Sequence, residues 1–278
     1  MDEIYLNGKF ISRSNAQISI MDRGFLFGDG VYELIPVYNK KIFLLHKHLN
    51  RLKNSLSLIG MSNIRGIEDI INNLISRNSN DNFFIYLHIT RGKQFQRNHI
   101  YREEVEPTIL VMCEQYPSYE KEQIKKGFHA CIHDDFRWLK SNIKSISLLG
   151  NVMLKNHASK NGYYETLLIR DNKLTEGSAS NVFIVKDNII HTPRLSNKLL
   201  PGVTRDLLID LLKDNDMAIN ESDISQDDLL SSDEVWCSSS TNAVVPITMV
   251  DENQIGSGKV GSTSLLAYDI TRDFIKNY

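Results

Sequence analysis

With 278 residues, 41% of them hydrophobic and 24% charged, the chain is long enough to bury one large core or two modest ones, and its composition is that of an ordinary globular protein. A net charge of −2 gives no electrostatic reason to bind nucleic acid or an anionic membrane surface. The acid-rich start Met1-Asp2-Glu3-Ile4-Tyr5 and the lack of any run of about 18 uncharged apolar residues point to a cytosolic chain with neither leader nor membrane span.

In chain order, Asn7-Gly8 inside Ile4 to Phe10 predicts a hairpin, and Val31 to Leu45 supplies more strand around Asn39-Lys40. Leu45, Leu49, Leu52, Leu56 and Ile59 step by four and three along one helix face, and Ile67, Ile70, Ile71 and Leu74 repeat the pattern. The alternation over Phe83 to Thr90 predicts a strand, followed by another from Pro107 to Cys113. The polar run after Glu114 has no periodic apolar face. It divides a small N-terminal α/β domain, residues 1–115, from a larger domain, residues 123–278, through a linker at 116–122.

The second domain opens with a strand through Ala130, Cys131 and Ile132. A helix follows that Ser147 can cap and that Asn161-Gly162 can stop, with Leu148, Leu149, Val152 and Met153 among its apolar positions. Strands are predicted at Glu165 to Ile169, Asn181 to Val185, Asn188 to His191 and Glu234 to Cys237, with a helix after Pro201-Gly202-Val203-Thr204.

Candidate chemistry is scattered along this frame. Lys144 lies in an apolar stretch from Asn142 to Leu149; it is either a side chain that snorkels to water or a buried amine, and a neutral amine is a nucleophile able to form a Schiff base. Thr204 either caps a helix or, with Val203, offers a helix start to phosphate. Glu176, beside Gly177 and Ser178, is either an exposed loop acid or a carboxylate that holds a proton on a pyridine nitrogen. Glycines interleave with aromatics from Asp22 to Glu33 but do not make a nucleotide fingerprint, and Tyr32 is either a substrate hydroxyl or a half-buried strand aromatic. Arg97 and His99 face the same way if extended and would grip a carboxylate, or belong to a solvated loop. Arg51, on the polar flank of its helix, reads as a surface charge. The three cysteines, Cys113, Cys131 and Cys237, lack metal-ligand spacing and read as buried thiols, and of the eight histidines only His46 and His48 are close; no metal is expected.

Four strings carry a resemblance: Asp22 to Glu33, Arg137-Trp138-Leu139-Lys140-Ser141-Asn142-Ile143-Lys144-Ser145, Leu174 to Phe183, and Leu200-Pro201-Gly202-Val203-Thr204-Arg205-Asp206. In that order, and nearly end to end, they resemble the fold-type IV pyridoxal-phosphate-dependent enzymes, a family that includes D-amino acid aminotransferases, branched-chain aminotransferases and aminodeoxychorismate lyase. Gly30-Val31-Tyr32-Glu33, the pair Arg97 and His99, and the Arg137-Trp138-Leu139 approach to Lys144 are most like the D-amino acid aminotransferase branch.

The resemblance implies a two-domain α+β or α/β architecture, with a small N-terminal α/β domain and a larger β-barrel-like domain carrying helices. It also implies pyridoxal 5'-phosphate as cofactor. Lys144 would be the Schiff-base lysine and Glu176 the partner of the pyridine nitrogen; Arg51, Val203, Thr204 and Ser240 would hold the phosphate, Ser240 standing where relatives often have threonine. Tyr32, with Arg97 and His99 from a neighbouring subunit, would bind the substrate carboxylate in a homodimer. The implied reaction is a ping-pong transfer of an amino group from a D-amino acid such as D-alanine to a 2-oxo acid such as 2-oxoglutarate; aminodeoxychorismate lyase and branched-chain L-amino acid transamination are the alternatives. Pro36 and Asn242-Ala243 depart from the pattern around the pocket and bear on side-chain preference.

Overall fold

The computed structural model describes residues 2–278. The chain divides into two compact units, Met1–Tyr116 with Ile143–Leu148, and Pro117–Asn142 with Leu149–Tyr278.

The first unit contains β1 (Glu3–Leu6), β2 (Lys9–Ser12), α1 (Arg23–Phe27), β3 (Gly30–Tyr38), β4 (Lys41–Ile42), α2 (Leu45–Leu58), α3 (Ile67–Arg77), β5 (Phe83–Thr90) and β6 (Thr108–Glu114). Asn7 and Gly8 both take positive φ, 46° and 90°, which a two-residue turn between twisted strands requires. The strands form one antiparallel sheet in the order β2-β1-β6-β5-β3-β4. Alternation assigns its two faces. Val31, Ile35, Val37, Ile85, Leu87, Ile89 and Val111 pack with Leu52, Leu56, Ile71 and Leu74 of α2 and α3. Tyr32, Leu34, Tyr86 and His88 occupy the other face and are half-buried.

Ile143–Leu148 belongs to this unit because its backbone pairs with β3. Ser145 bridges Val31, the Tyr32 N–H donates to the Lys144 carbonyl at 2.9 Å, and the Ile146 N–H donates to Gly30 at 3.1 Å. The expected boundary therefore differs in two ways. The first unit runs to Tyr116 and reclaims six residues from the expected second domain, and the expected linker runs into α4 (Lys121–Lys126). That helix is closed by a reciprocal cap between Glu120 and Gln123 and buries only Ile124, so it has no apolar stripe to announce it.

The second unit continues with β7 (Phe128–Asp134), α5 (Leu149–Lys160), β8 (Glu165–Arg170), β9 (Lys173–Gly177), β10 (Asn181–Lys186), β11 (Ile189–Pro193), α6 (Val203–Asp214), β12 (Ile219–Ser222), α7 (Gln226–Leu230), β13 (Glu234–Ser238), β14 (Val245–Val250), β15 (Asn253–Gln254) and α8 (Ser262–Asn277). Its mixed sheet runs β12-β11-β10-β13-β14-β7-β8-β9, with β15 beside β14. The sheet curls into a half-barrel until β9 returns against β10, where the Gly177 N–H donates to the Ser180 carbonyl at 2.7 Å. Ala130, Leu167, Ile169, Val182, Ile184, Val235 and Ile247 fill one side, while Phe183 and Trp236, stacked at 5.2 Å, pack the other with Leu208 and Leu212 of α6 and Ala267 of α8. The architecture is thus mixed α and β in two units, as expected.

Two local expectations are corrected. Ser147 does not cap α5; its hydroxyl donates to the Gly28 carbonyl at 2.9 Å and the helix begins at Leu149. Glu176 is not a loop residue but lies on β9, buried. Strands β9, β12, β14 and β15 and helices α1, α7 and α8 had no expectation. Helix α8 buries Ser264, Ala267, Tyr268 and Thr271, a stripe too small and polar to read as a core face.

Candidate active site

In the first unit the pairing with β3 holds Lys144 by its backbone. The Lys144 N–H also donates to the Ser55 hydroxyl at 3.2 Å, and Ile143 and Ser145 on either side are buried. Lys144 itself is half-buried, and its Nζ sits 4.1 Å from the centroid of the Tyr32 ring. The glycine-rich string has its role here. Gly28 ends α1 at φ 67°, where a Cβ would lie 2.6 Å from the Ser147 hydroxyl, and a Cβ on Gly30 would lie 2.4 Å from the Ile89 carbonyl. The glycines let the segment bearing Lys144 approach β3 closely.

Behind Tyr32, on the opposite face of β3, Glu33 is fully buried. Its carboxylate accepts from Arg51 Nε and Nη2, both at 2.8 Å, and lies 2.9 Å from His48 Nδ1. Burial alone raises such a carboxyl, but the Arg51 guanidinium, with His48, holds Glu33 well below the usual carboxylate range. Burial pushes His48 down. Arg51 is therefore not a surface charge. Helix α2 turns His48, Arg51, Leu52, Ser55 and Leu56 inward, a stripe of three polar and two apolar residues, because Glu33 waits on the sheet beneath it.

Arg97 and His99 are exposed and meet at Phe27. The guanidinium carbon lies 5.0 Å from that ring and the imidazole 5.2 Å from it. Arg23 fixes the loop by donating to the carbonyls of Asn98 at 2.6 Å and His99 at 3.0 Å, while its Nε bonds Asp29 at 2.8 Å. Among the described residues no hydrogen bond, ion pair or ring contact joins Arg97 or His99 to Tyr32 or Lys144.

The second unit gathers Glu176, Val203, Thr204 and Ser240 at one end of β9, β10 and β13. Glu176 Oε1 accepts from Arg137 Nη1 at 2.7 Å and Oε2 from the Leu200 N–H at 3.0 Å. Burial pushes its carboxyl up to about 7, with Arg137 and the Leu200 N–H pulling it down. Asn181 ties that carboxylate to the start of α6, since its Nδ2 donates to the Leu200 carbonyl at 2.9 Å and its Oδ1 would lie 2.0 Å from a Cβ on Gly202. Gly202 precedes Val203 and Thr204, and no side chain caps this helix, so Thr204 is not the cap. Asn181 also pairs with Ser238, two residues before Ser240. In the loop that follows, Ser239 and Thr241 bond one another at 3.0 Å, and Ser240 forms no hydrogen bond among the described residues.

A profile of the amino-transferase class IV family matches residues 30–250. The chain belongs to that family. Among curated relatives of this class IV chain, the D-alanine aminotransferase of Bacillus licheniformis is 37% identical over 262 residues, covering 93% of this chain and 92% of the relative. That of Staphylococcus aureus strain N315 is 37% identical, covering 94% and 93%. Among solved structures, the branched-chain amino acid aminotransferase of Escherichia coli superposes with a TM-score of 0.89 at 22% identity, covering 99% of this chain and 94% of that one. A branched-chain amino acid aminotransferase from T.th. with pyridoxamine 5'-phosphate gives 0.90 at 23%, with the same coverage.

Class IV aminotransferases are in general pyridoxal-phosphate-dependent. Within the second unit a helix start with no side-chain cap, a Ser240 hydroxyl without a hydrogen bond among the described residues and a buried carboxylate at Glu176 have the chemistry such a group needs; the first unit, taken by itself, carries the half-buried amine of Lys144. Four buried or half-buried groups that sequence reasoning had not assigned join the picture: Glu33, His48, Asp135 and Arg137. Glu33 and His48 lie one and three positions from the candidates Tyr32 and Arg51, whereas Arg137 and Asp135 lie seven and nine positions before Lys144.

Proposed function

We propose that this class IV aminotransferase is a D-amino acid transaminase, moving the amino group of a D-amino acid such as D-alanine to a 2-oxo acid such as 2-oxoglutarate. The observation that carries the reading is the amine of Lys144 at 4.1 Å from the Tyr32 ring, on a backbone paired with β3, in a chain 37% identical to a D-alanine aminotransferase over 93% of its length. Lys144, Glu176, Arg51, Val203, Thr204 and Ser240 would hold pyridoxal 5'-phosphate. When bound, that group supplies an electrophilic carbon for the amino group and a cationic ring that takes up the charge left at the substrate Cα.

Lys144 would provide the amine that holds the cofactor and, as a free base, would accept the proton from the substrate Cα. Its bonds to Ser55 and β3 fix the backbone from which that amine extends. Glu176 keeps a proton on the ring nitrogen through its carboxylate. The α6 start and Ser240 give N–H and O–H donors to the phosphate, and Arg51, aimed by Glu33, adds positive charge.

Tyr32 would donate to the substrate α-carboxylate, together with Arg97 and His99 of a second copy. The exposure of Phe95 (87%), Ile100 (76%) and Phe25 (66%) around that loop, and the distribution of Arg97 and His99 around Phe27 instead of Tyr32, support a homodimer in which the loop serves the other copy. The expected compartment is the cytoplasm, and no helix among the described residues is long and apolar enough to cross a membrane.

Purified protein loaded with the cofactor is assayed with D-alanine and 2-oxoglutarate, with L-alanine and L-leucine as controls. Turnover of D-alanine is expected. Fast L-leucine turnover with none of D-alanine would make it a branched-chain enzyme, and release of p-aminobenzoate and pyruvate from aminodeoxychorismate would make it a lyase. Lys144→Ala is expected to abolish turnover and the borohydride fixation of cofactor to this segment.

A further inference from the structure

The carboxylate assigned to the ring nitrogen does not stand alone. Arg137 bridges two buried acids: Nη1 donates to Glu176 at 2.7 Å, while Nε and Nη2 donate to Asp135 at 2.9 and 3.0 Å. Asp135 in turn accepts from the Thr175 hydroxyl at 2.9 Å, and Arg170 stands 3.1 Å away on β8. Arg170 also donates to the carbonyls of Asp135 and Arg137, both at 2.6 Å, so the loop carrying Arg137 is pinned from below. The side chains of Asp135, Arg137 and Glu176 are all at least nine-tenths buried.

The charges and donors that face Glu176 in this unit are few. They are Arg137 and, behind it, Asp135 from the end of β7, Arg170 from β8, Asn181 from β10 and the Leu200 N–H from the chain before α6. One guanidinium is thus divided between two carboxylates. Asp135 takes two of its N–H groups and Glu176 one. A carboxylate fully clamped by an arginine is quenched and makes a poor partner for another cation, whereas one with no cation nearby takes up a proton when buried. Sharing places Glu176 between these extremes.

We propose that Asp135 and Arg137 are positioning residues that set the ionisation of Glu176: Arg137 keeps it a carboxylate, and Asp135 draws off enough of the guanidinium to leave that carboxylate available for the pyridine nitrogen. The inference rests on the assignment of Glu176 to that nitrogen. Two signs follow. Loss of the Arg137 charge raises the pH at which Glu176 releases its proton. Loss of the Asp135 charge lowers it, because the whole guanidinium then falls on Glu176. In the loaded enzyme the acid limb of kcat moves the same way in each case, and KM for the amino acid stays within about twofold since neither residue meets the substrate.

The test reads both the protein and its turnover. The carboxylic-acid infrared band of Glu176 is followed against pH in cofactor-free protein, using Glu176→Gln to identify it by difference, and kcat against pH is measured in the loaded enzyme. In Arg137→Gln the Glu176 midpoint is expected to rise by a unit or more, kcat at neutral pH to fall about tenfold and to recover as pH rises. Arg137→Lys, which keeps the charge, should restore most of both. Asp135→Asn is expected to lower the midpoint. A midpoint unchanged in Arg137→Gln, or raised in Asp135→Asn, overturns the inference; should Arg137→Gln not fold, the sign in Asp135→Asn and the midpoint in Arg137→Lys still decide it. Normal kcat and cofactor spectrum in Glu176→Gln would instead overturn the assignment of Glu176 to the ring, independently of the infrared result.

Discussion

Glu33 in the first unit and Glu176 in the second are both buried, and they are driven in opposite directions. Glu33 in the first unit faces a guanidinium that gives it two N–H groups, with His48 beside them, and is held far below the usual carboxylate range. Glu176 in the second receives one N–H from an arginine that gives two to Asp135, and is pushed up to about 7. Burial is the same in both. What differs is how much of a positive charge each one holds. The first carboxylate is fully engaged in keeping Arg51 and His48 in place; the second keeps capacity for another cation. A buried acid that is fully paired is a structural part, while one that shares its partner is a group with chemistry left to do.

The largest expected effect tests the first half of that contrast. Glu33→Gln strips the counter-charge from buried Arg51, and a stability loss of about 3–5 kcal/mol is expected in denaturant unfolding of the cofactor-free protein. A loss below about 1 kcal/mol would mean that Arg51 is not committed to Glu33. Glu176→Gln leaves Arg137 its Asp135 partner, so its stability cost should be smaller, about 1–2 kcal/mol, while kcat falls at least tenfold with cofactor still retained.

The pH dependence of stability separates the pair further. Glu33, with its pKa lowered on folding, contributes stability that is fully present above the ordinary carboxylate value of 4.5 and is lost as pH falls below it. Glu176, raised to about 7, does the reverse: its carboxylate form penalises the native state above about 7, and the penalty is relieved as pH drops from there towards 4.5. Thermal unfolding of cofactor-free protein from about pH 8 to about pH 3 should therefore lose its acid-side slope in Glu33→Gln and its near-neutral slope in Glu176→Gln. Identical profiles in the two variants would erase the distinction. The smallest effect concerns the tether of Lys144. Ser55→Ala removes one acceptor from its N–H and should cost about 1 kcal/mol, with kcat lowered more than KM is raised if the backbone hold positions the amine.

These pairings were unequally legible. Lys144 and Glu176 lie in ordered strings that mark them by resemblance, and the hairpin at Asn7-Gly8 and the strand Phe83–Thr90 follow from turn chemistry and alternation. All three cysteines are buried, as expected of free thiols. Arg51, by contrast, looked solvated because a polar residue on an amphipathic helix is normally on the wet side; only the position of Glu33, 18 residues earlier on a strand, turns it inward. Glu176 taken alone reads as a loop acid because Gly177-Ser178 reads as a turn; the chain does turn there, but Glu176 is still on β9 and buried. The Asp135-Arg137-Glu176 bridge spans 39 residues between its guanidinium and its second acid, and no local pattern announces a pair at that distance.

By itself the sequence determined the family, the alternation and turns of the strands in the first unit, and the candidacy of Lys144 as the reactive amine, because these depend on residue types within a few positions of one another. The tertiary structure alone decided that Ile143–Leu148 joins the sheet of the first unit and that two buried glutamates divide their arginines differently. Ionisation inside a protein depends on burial and on the count of donors within a few ångströms, and both are set only when distant segments pack together.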